Sequence, residues 1–170
     1  MTSIKGTRTE ANLLAAFAAE SQTNRRYLWF AEQADVDGQP EMAGLFRELA
    51  ESETGHAMGH LEILAELGDP ATGQTLHHPE DYLRSSIEAE ERDAVELYPS
   101  YAQAAREEGF AEIAMWLETV AEAERRHAAL LSELLASLTS ARPNDEAQAG
   151  IAAEPCTDDG EPASRGDRAQ

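Results

Sequence analysis

At 170 residues with 33 acidic and 13 basic side chains, the chain carries a formal charge of −20, which argues against nucleic acid or an anionic membrane as a partner. A single cysteine, Cys156, excludes an internal disulfide and any four-cysteine zinc or iron site within the chain. No stretch approaches the roughly twenty apolar residues of a membrane span, and Met1 to Lys5 lacks the apolar core of a signal peptide, so one main domain with a cytoplasmic location is expected.

Ala, Glu and Leu dominate and aromatics are few, which points to an all-α protein. The first helix is expected to start near Thr7, where Thr7 and Glu10 have capping-box spacing, and to run to Asp37-Gly38 with Leu13, Leu14, Phe17, Leu28 and Phe30 as its apolar stripe. A second helix begins at Pro40, carries Met42, Leu45, Phe46, Leu49, Leu61 and Leu64, and stops at Gly68 to Pro70. Residues 69–78 lack helical periodicity and can reach about 33 Å, which suits a long crossover. A third helix runs from about Pro79 to Gly109, with Pro99 expected to kink it, and a fourth from about Phe110 to Leu138. Two αα-hairpins joined by a crossover make a four-helix bundle over 1–138. Residues 139–170, rich in Pro, Gly, Ser and charge, read as a disordered acidic tail.

The motif Glu-x-x-His occurs twice, at Glu53 to His56 and Glu124 to His127, offset by 71 residues. On a helix each pair lies on one face and can aim a carboxylate and an imidazole at one point. The same offset relates residues 30–67 to 101–138, matching Ala31, Ala34, Ala43, Ala50 and Ala57 with Ala102, Ala105, Ala114, Ala121 and Ala128, and it pairs Tyr27 with Tyr98. Such self-similarity means one helical hairpin used twice. Bundles of this kind hold two metals with a Glu from each of two helices and a Glu-x-x-His from each of the others. Glu20, inside the apolar run Phe17 to Glu20, is the first-helix candidate; on the third helix the spacing leaves Glu90 and Glu91 open, with Asp93 one turn after Glu90. His60 is expected as a surface histidine, as are His77 and His78 in the crossover.

The stretches Ile4 to Glu10, Phe17 to Gln22, Tyr98 to Tyr101 and Ala105 to Phe110 resemble rubrerythrin, a ferritin-like di-iron family, with the likeness running to about Leu138. The resemblance implies a ferritin-like four-helix bundle with metal ligands at Glu20, Glu53, His56, Glu90, Asp93, Glu124 and His127, Glu53 and Glu124 being the two bridges. It settles Glu90 over Glu91 and gives the hydroxyls of Tyr27 and Tyr98 a supporting role, hydrogen bonded to ligand carboxylates. Where the family has a seventh, glutamate ligand this chain has Asp93, shorter by about 1 to 1.5 Å, so its carboxylate is expected to fall short of direct coordination. The implied cofactor is a pair of iron ions, with manganese or mixed metal as alternatives. The implied activity is reduction of hydrogen peroxide to water, protecting against oxidative stress. With one cysteine the chain resembles members that lack a rubredoxin domain, so electrons come from a separate donor such as a rubredoxin. Relatives of this type form homodimers, some of them exchanging helix pairs. Two other readings fit the same residues: a ferritin-like ferroxidase that handles iron, and a metal-stabilised cargo module without enzymatic activity.

Overall fold

The structure, a computed structural model, describes residues 3–140. They contain α1 (Arg8–Val36), α2 (Pro40–Ala65), α3 (Pro79–Arg92), a π-helical segment (Asp93–Leu97), α4 (Tyr98–Glu107) and α5 (Ala111–Ser140), with no strand among the described residues. None of these helices is long and apolar enough to cross a membrane. The chain is thus all-helical and has the two-hairpin organisation of a ferritin-like bundle. The expected tail lies outside the described residues from 141 onward, while Thr139 and Ser140 extend α5.

Local chemistry sets the boundaries. Thr7 caps α1 by accepting the Glu10 N–H at 3.3 Å, and Glu10 in turn accepts the Gly6 N–H. Pro40 opens α2, where its missing N–H costs nothing. The turns inside the two hairpins are the same turn. Gly38 and Gly109 both have positive φ (68° and 87°), and the N–H that follows each returns to a helix carbonyl, Gln39 to Ala34 at 2.8 Å and Phe110 to Ala105 at 2.7 Å. Even the ion pair across each turn recurs with its charges exchanged, Arg47 to Asp35 in one hairpin and Glu118 to Arg106 in the other.

The third predicted helix differs from expectation. The break is not a simple kink at Pro99: a π-helical turn from Asp93 to Leu97 precedes it, and Pro99 lies in the first turn of α4. That turn absorbs one residue. Glu20 and Tyr27 are seven apart, Glu90 and Tyr98 eight, and the π segment lies within the longer interval. The extra residue explains why strict repeat arithmetic points from Glu20 to Glu91.

Packing within each hairpin runs along alanines. Ala31, Ala34, Ala43, Ala50 and Ala57 are buried in the first, Ala102, Ala105, Ala114, Ala121 and Ala128 in the second, and all belong to the duplicated set. Ala43, Ala50 and Ala57 recur every seven residues, as do Ala114, Ala121 and Ala128, a heptad spacing that keeps small side chains on one seam so that the helices approach closely. The large apolar side chains lie elsewhere. Met42, Leu45, Leu49 and Ile63 on α2 and Ile113, Trp116, Leu130 and Leu134 on α5 are exposed, because among the described elements α1 packs only with α2, while α3, the π segment and α4 pack with α5. Of the stripe expected on α2, Met42, Leu45 and Leu49 therefore remain exposed in a single chain, while Leu64 is buried and Phe46 and Leu61 are partly covered.

Candidate metal centre

Two three-residue groups gather the predicted ligands. Glu20 of α1 meets Glu53 and His56 of α2, and Glu90 of α3 meets Glu124 and His127 of α5; within each group ligand atoms lie within 4.8 Å of one another. The hairpin turns produce this convergence, since they lay neighbouring helices antiparallel with the alanine seam fixing their register. In the first group His56 Nδ1 stands 3.0 Å from Glu53 Oε2. In the second His127 Nδ1 stands 2.7 Å from Glu124 Oε2 and 3.5 Å from Glu90 Oε2. The carboxylates are mostly covered and the imidazoles half-exposed: side-chain exposure is 17% for Glu53 and 18% for Glu124, but 58% and 54% for the histidines.

Electrostatics within each group favour a cation. Hydrogen bonding to Glu53, with burial and like charge adding to it, pushes the Glu20 carboxyl above the usual carboxylate range. The same contact, helped by His56, lowers Glu53. Burial and the neighbouring Glu124 push Glu90 upward as well. Carboxylates this close repel one another, and a proton or a positive ion between them relieves that repulsion. An oxygen and nitrogen donor set of two carboxylates and one imidazole suits iron or manganese.

The remaining predicted residues separate. Asp93, the first residue of the π segment, is not in the second group; it pairs instead with Arg92 at 3.3 Å. Tyr98 lies near the second group, and its hydroxyl is pushed to a higher pKa by burial, then by the charges of Glu124 and Asp93. Tyr27 packs its ring against Phe30 and Phe46 at 6.4 and 5.7 Å. Neither hydroxyl donates to a carboxylate of the groups among the described residues, so the hydrogen bonds implied for Tyr27 and Tyr98 are not present. His77 and His78 are exposed and His60 is partly covered near Glu20.

Two residues not anticipated from the sequence tie the helices beside the groups. Asn24, one turn beyond Glu20, donates to the Ala50 carbonyl at 2.7 Å and to Thr54 Oγ1 at 2.9 Å. Arg125, next to Glu124, donates to the Ala94 carbonyl at 3.3 Å, a carbonyl of the π segment. Thr54, the partner of Asn24, and Arg125 occupy equivalent positions of the repeat but differ in residue type, so the repeat gave no signal for either contact.

An all-helical, twofold-repeated hairpin protein with a Glu, Glu, His group in each repeat belongs to the ferritin-like class. More narrowly, the chain belongs to the rubrerythrin family, whose model matches residues 11–135 and again 81–155. It is 41% identical over 144 residues to a rubrerythrin of Porphyromonas gingivalis, covering 78% of this chain and 70% of that protein. It is 40% identical over 135 residues to a rubrerythrin of Nitratidesulfovibrio vulgaris, covering 75% and 69%, and 34% identical over 146 residues to rubrerythrin-1 of Clostridium acetobutylicum, covering 81% and 75%.

Proposed function

We propose that this protein reduces hydrogen peroxide to water at a centre of two irons held by Glu20, Glu53, His56, Glu90, Glu124 and His127, with electrons from a separate donor protein. The observation that carries the reading is the presence of the same Glu, Glu, His group on both hairpins. When bound, the iron pair supplies two electrons and the positive charge that stabilises a breaking O–O bond. Peroxide, two electrons and two protons give two waters, after which the donor must restore the electrons. A rubredoxin-type protein fits that role, since this chain has only one cysteine.

The chain's own groups set the conditions. The Glu20 and Glu53 carboxyls shift one another's pKa in opposite directions, and a cation between them would relieve their repulsion. The Tyr98 hydroxyl, whose pKa is pushed up by burial and then by Glu124, would serve as a proton source near the second group. Asp93, held by Arg92, stays out of coordination in this reading. We also read the protein as a homodimer that exchanges hairpins: the exposed stripes of α2 and α5 cover one another between copies, and each group of one chain joins the other group of its partner. The test is anaerobic loading with two equivalents of iron, then stoichiometric peroxide, following oxo-bridge absorption in the near ultraviolet. Sustained turnover with catalytic donor is expected. Accumulation of many irons per particle would favour iron storage instead, and absence of both activities would leave a structural module.

A further inference from the structure

The segment 66–78 between the hairpins is tied to α3 by a series of hydrogen bonds. His77 and His78 give their N–H groups to Asp81 at 3.1 and 2.9 Å. Four residues further along α3, Ser85 is fully buried, donates to Asp69 Oδ2 at 2.7 Å and shares a hydrogen bond with Thr72. Next comes Glu88, which accepts from Gln74, and then Arg92, which donates to the Ala71 carbonyl at 2.9 Å. The segment therefore runs back along the whole of α3.

Its start is closed on itself. Asp69 N–H reaches the Gln74 carbonyl and Gly73 N–H the Asp69 carbonyl, both at 2.7 Å, while Asp69 Oδ1 accepts the Ala71 N–H at 2.6 Å. Gly68, at φ 127°, lies so near residues 73 and 74 that a Cβ would meet their carbonyl oxygens at 2.9 Å. The chain just after α2 is thereby fixed beside Ser85. Glu53 lies twelve residues before Ala65, the last residue of α2, which is about 18 Å along a helix axis. α2 makes no packing contact with α3 or α5, and Glu53 and Glu90 stand in separate groups. Length is not the obstacle, since residues 66–78 fully extended would reach about 43 Å.

We propose that this segment is a conformational lock: Asp69, Thr72, Gln74, Ser85 and Arg92 hold the two metal-binding groups of one chain apart and so direct each to a second copy rather than to closure within the chain. The inference rests on the reading that the two groups combine into one centre.

The test uses the full chain in two experiments. First, differently tagged Glu53→Ala and Glu124→Ala chains are co-expressed; exchange of hairpins restores one intact centre in each mixed dimer, so metal should return to about a quarter of the parent level. Second, the metal-free parent is compared by sedimentation with Asp69→Ala/Ser85→Ala and with a chain carrying eight Gly and Ser residues inserted after Gly73. Both altered chains should shift from dimer toward monomer, still bind metal, and lose the restoration between paired mutants. Failure of restoration in the parent overturns the exchange of hairpins and the lock with it. Restoration in the parent that persists undiminished in both altered chains, with both still dimeric, leaves the exchange standing and overturns the lock alone.

Discussion

Small side chains carry much of the architecture. Ala50 and Ala121 are 1% and 3% exposed at equivalent points of the two seams, so Ala50→Leu or Ala121→Leu must force the helices apart. Overpacking of this kind costs about 1 to 3 kcal/mol, and each variant should melt several degrees below the parent by circular dichroism. At the ligands, Glu53→Ala or Glu124→Ala should remove most bound metal, read by elemental analysis, since each takes a mostly covered carboxylate from the middle of its group. Asp93 tests the opposite expectation. Because its carboxylate pairs with Arg92, Asp93→Ala should keep nearly all the metal that Glu90→Ala loses, whereas Asp93→Glu should alter the oxidised spectrum by adding reach; equal losses from the two alanine variants would show a direct ligand. Of the six residues that gather, Glu20, Glu53, His56, Glu124 and His127 were legible because metal sites need fixed residue types at helical spacing, whereas spacing left Glu90 and Glu91 open and the family resemblance chose Glu90. Asn24 and Arg125 were not legible, because a side chain that donates to a backbone carbonyl leaves no spacing pattern of its own.

At the scale of elements, helix limits could be read from caps, Pro40, Pro79 and the paired glycines, all short-range signals. The π segment was hidden, since it looks helical by composition, yet its trace is the one-residue difference between Glu20 to Tyr27 and Glu90 to Tyr98. The start of α3 supports a pH prediction. Backbone N–H groups of His78 and His77 lower the Asp81 pKa from its ordinary value of 3.8. A folded-state value below the unfolded one adds stability that is complete above about 3.8 and disappears as pH falls through the lower folded value. Asp81→Asn should therefore lose stability near neutral pH and show a shallower decline of melting temperature on acidification below about pH 4. An unchanged acid limb would mean that the cap contributes nothing.

For the molecule as a whole, the uncovered stripes decide the behaviour. Leu45 and Trp116 occupy equivalent positions on α2 and α5 and are 56% and 65% exposed, with similar neighbours on both helices. A face of this kind calls for a partner surface. The protein should sediment as a dimer, and Leu45→Asp or Trp116→Asp should shift it toward monomer. A parent that sediments as a monomer with normal metal content would show that the hairpins close on each other. The stripes themselves were visible as helical periodicity, but whether one chain or two would cover them was not. That choice depends on the course of residues 66–78, whose Asp69, Thr72 and Gln74 read like those of any loop until Ser85 and Glu88 are seen to bind them. The separation of the two groups by this segment has a consequence in mass action. If each centre draws half its ligands from another molecule, metal content becomes a function of protein concentration: dilution past the dimer's dissociation constant should release iron without altering a single ligand, and added apo-protein should restore binding.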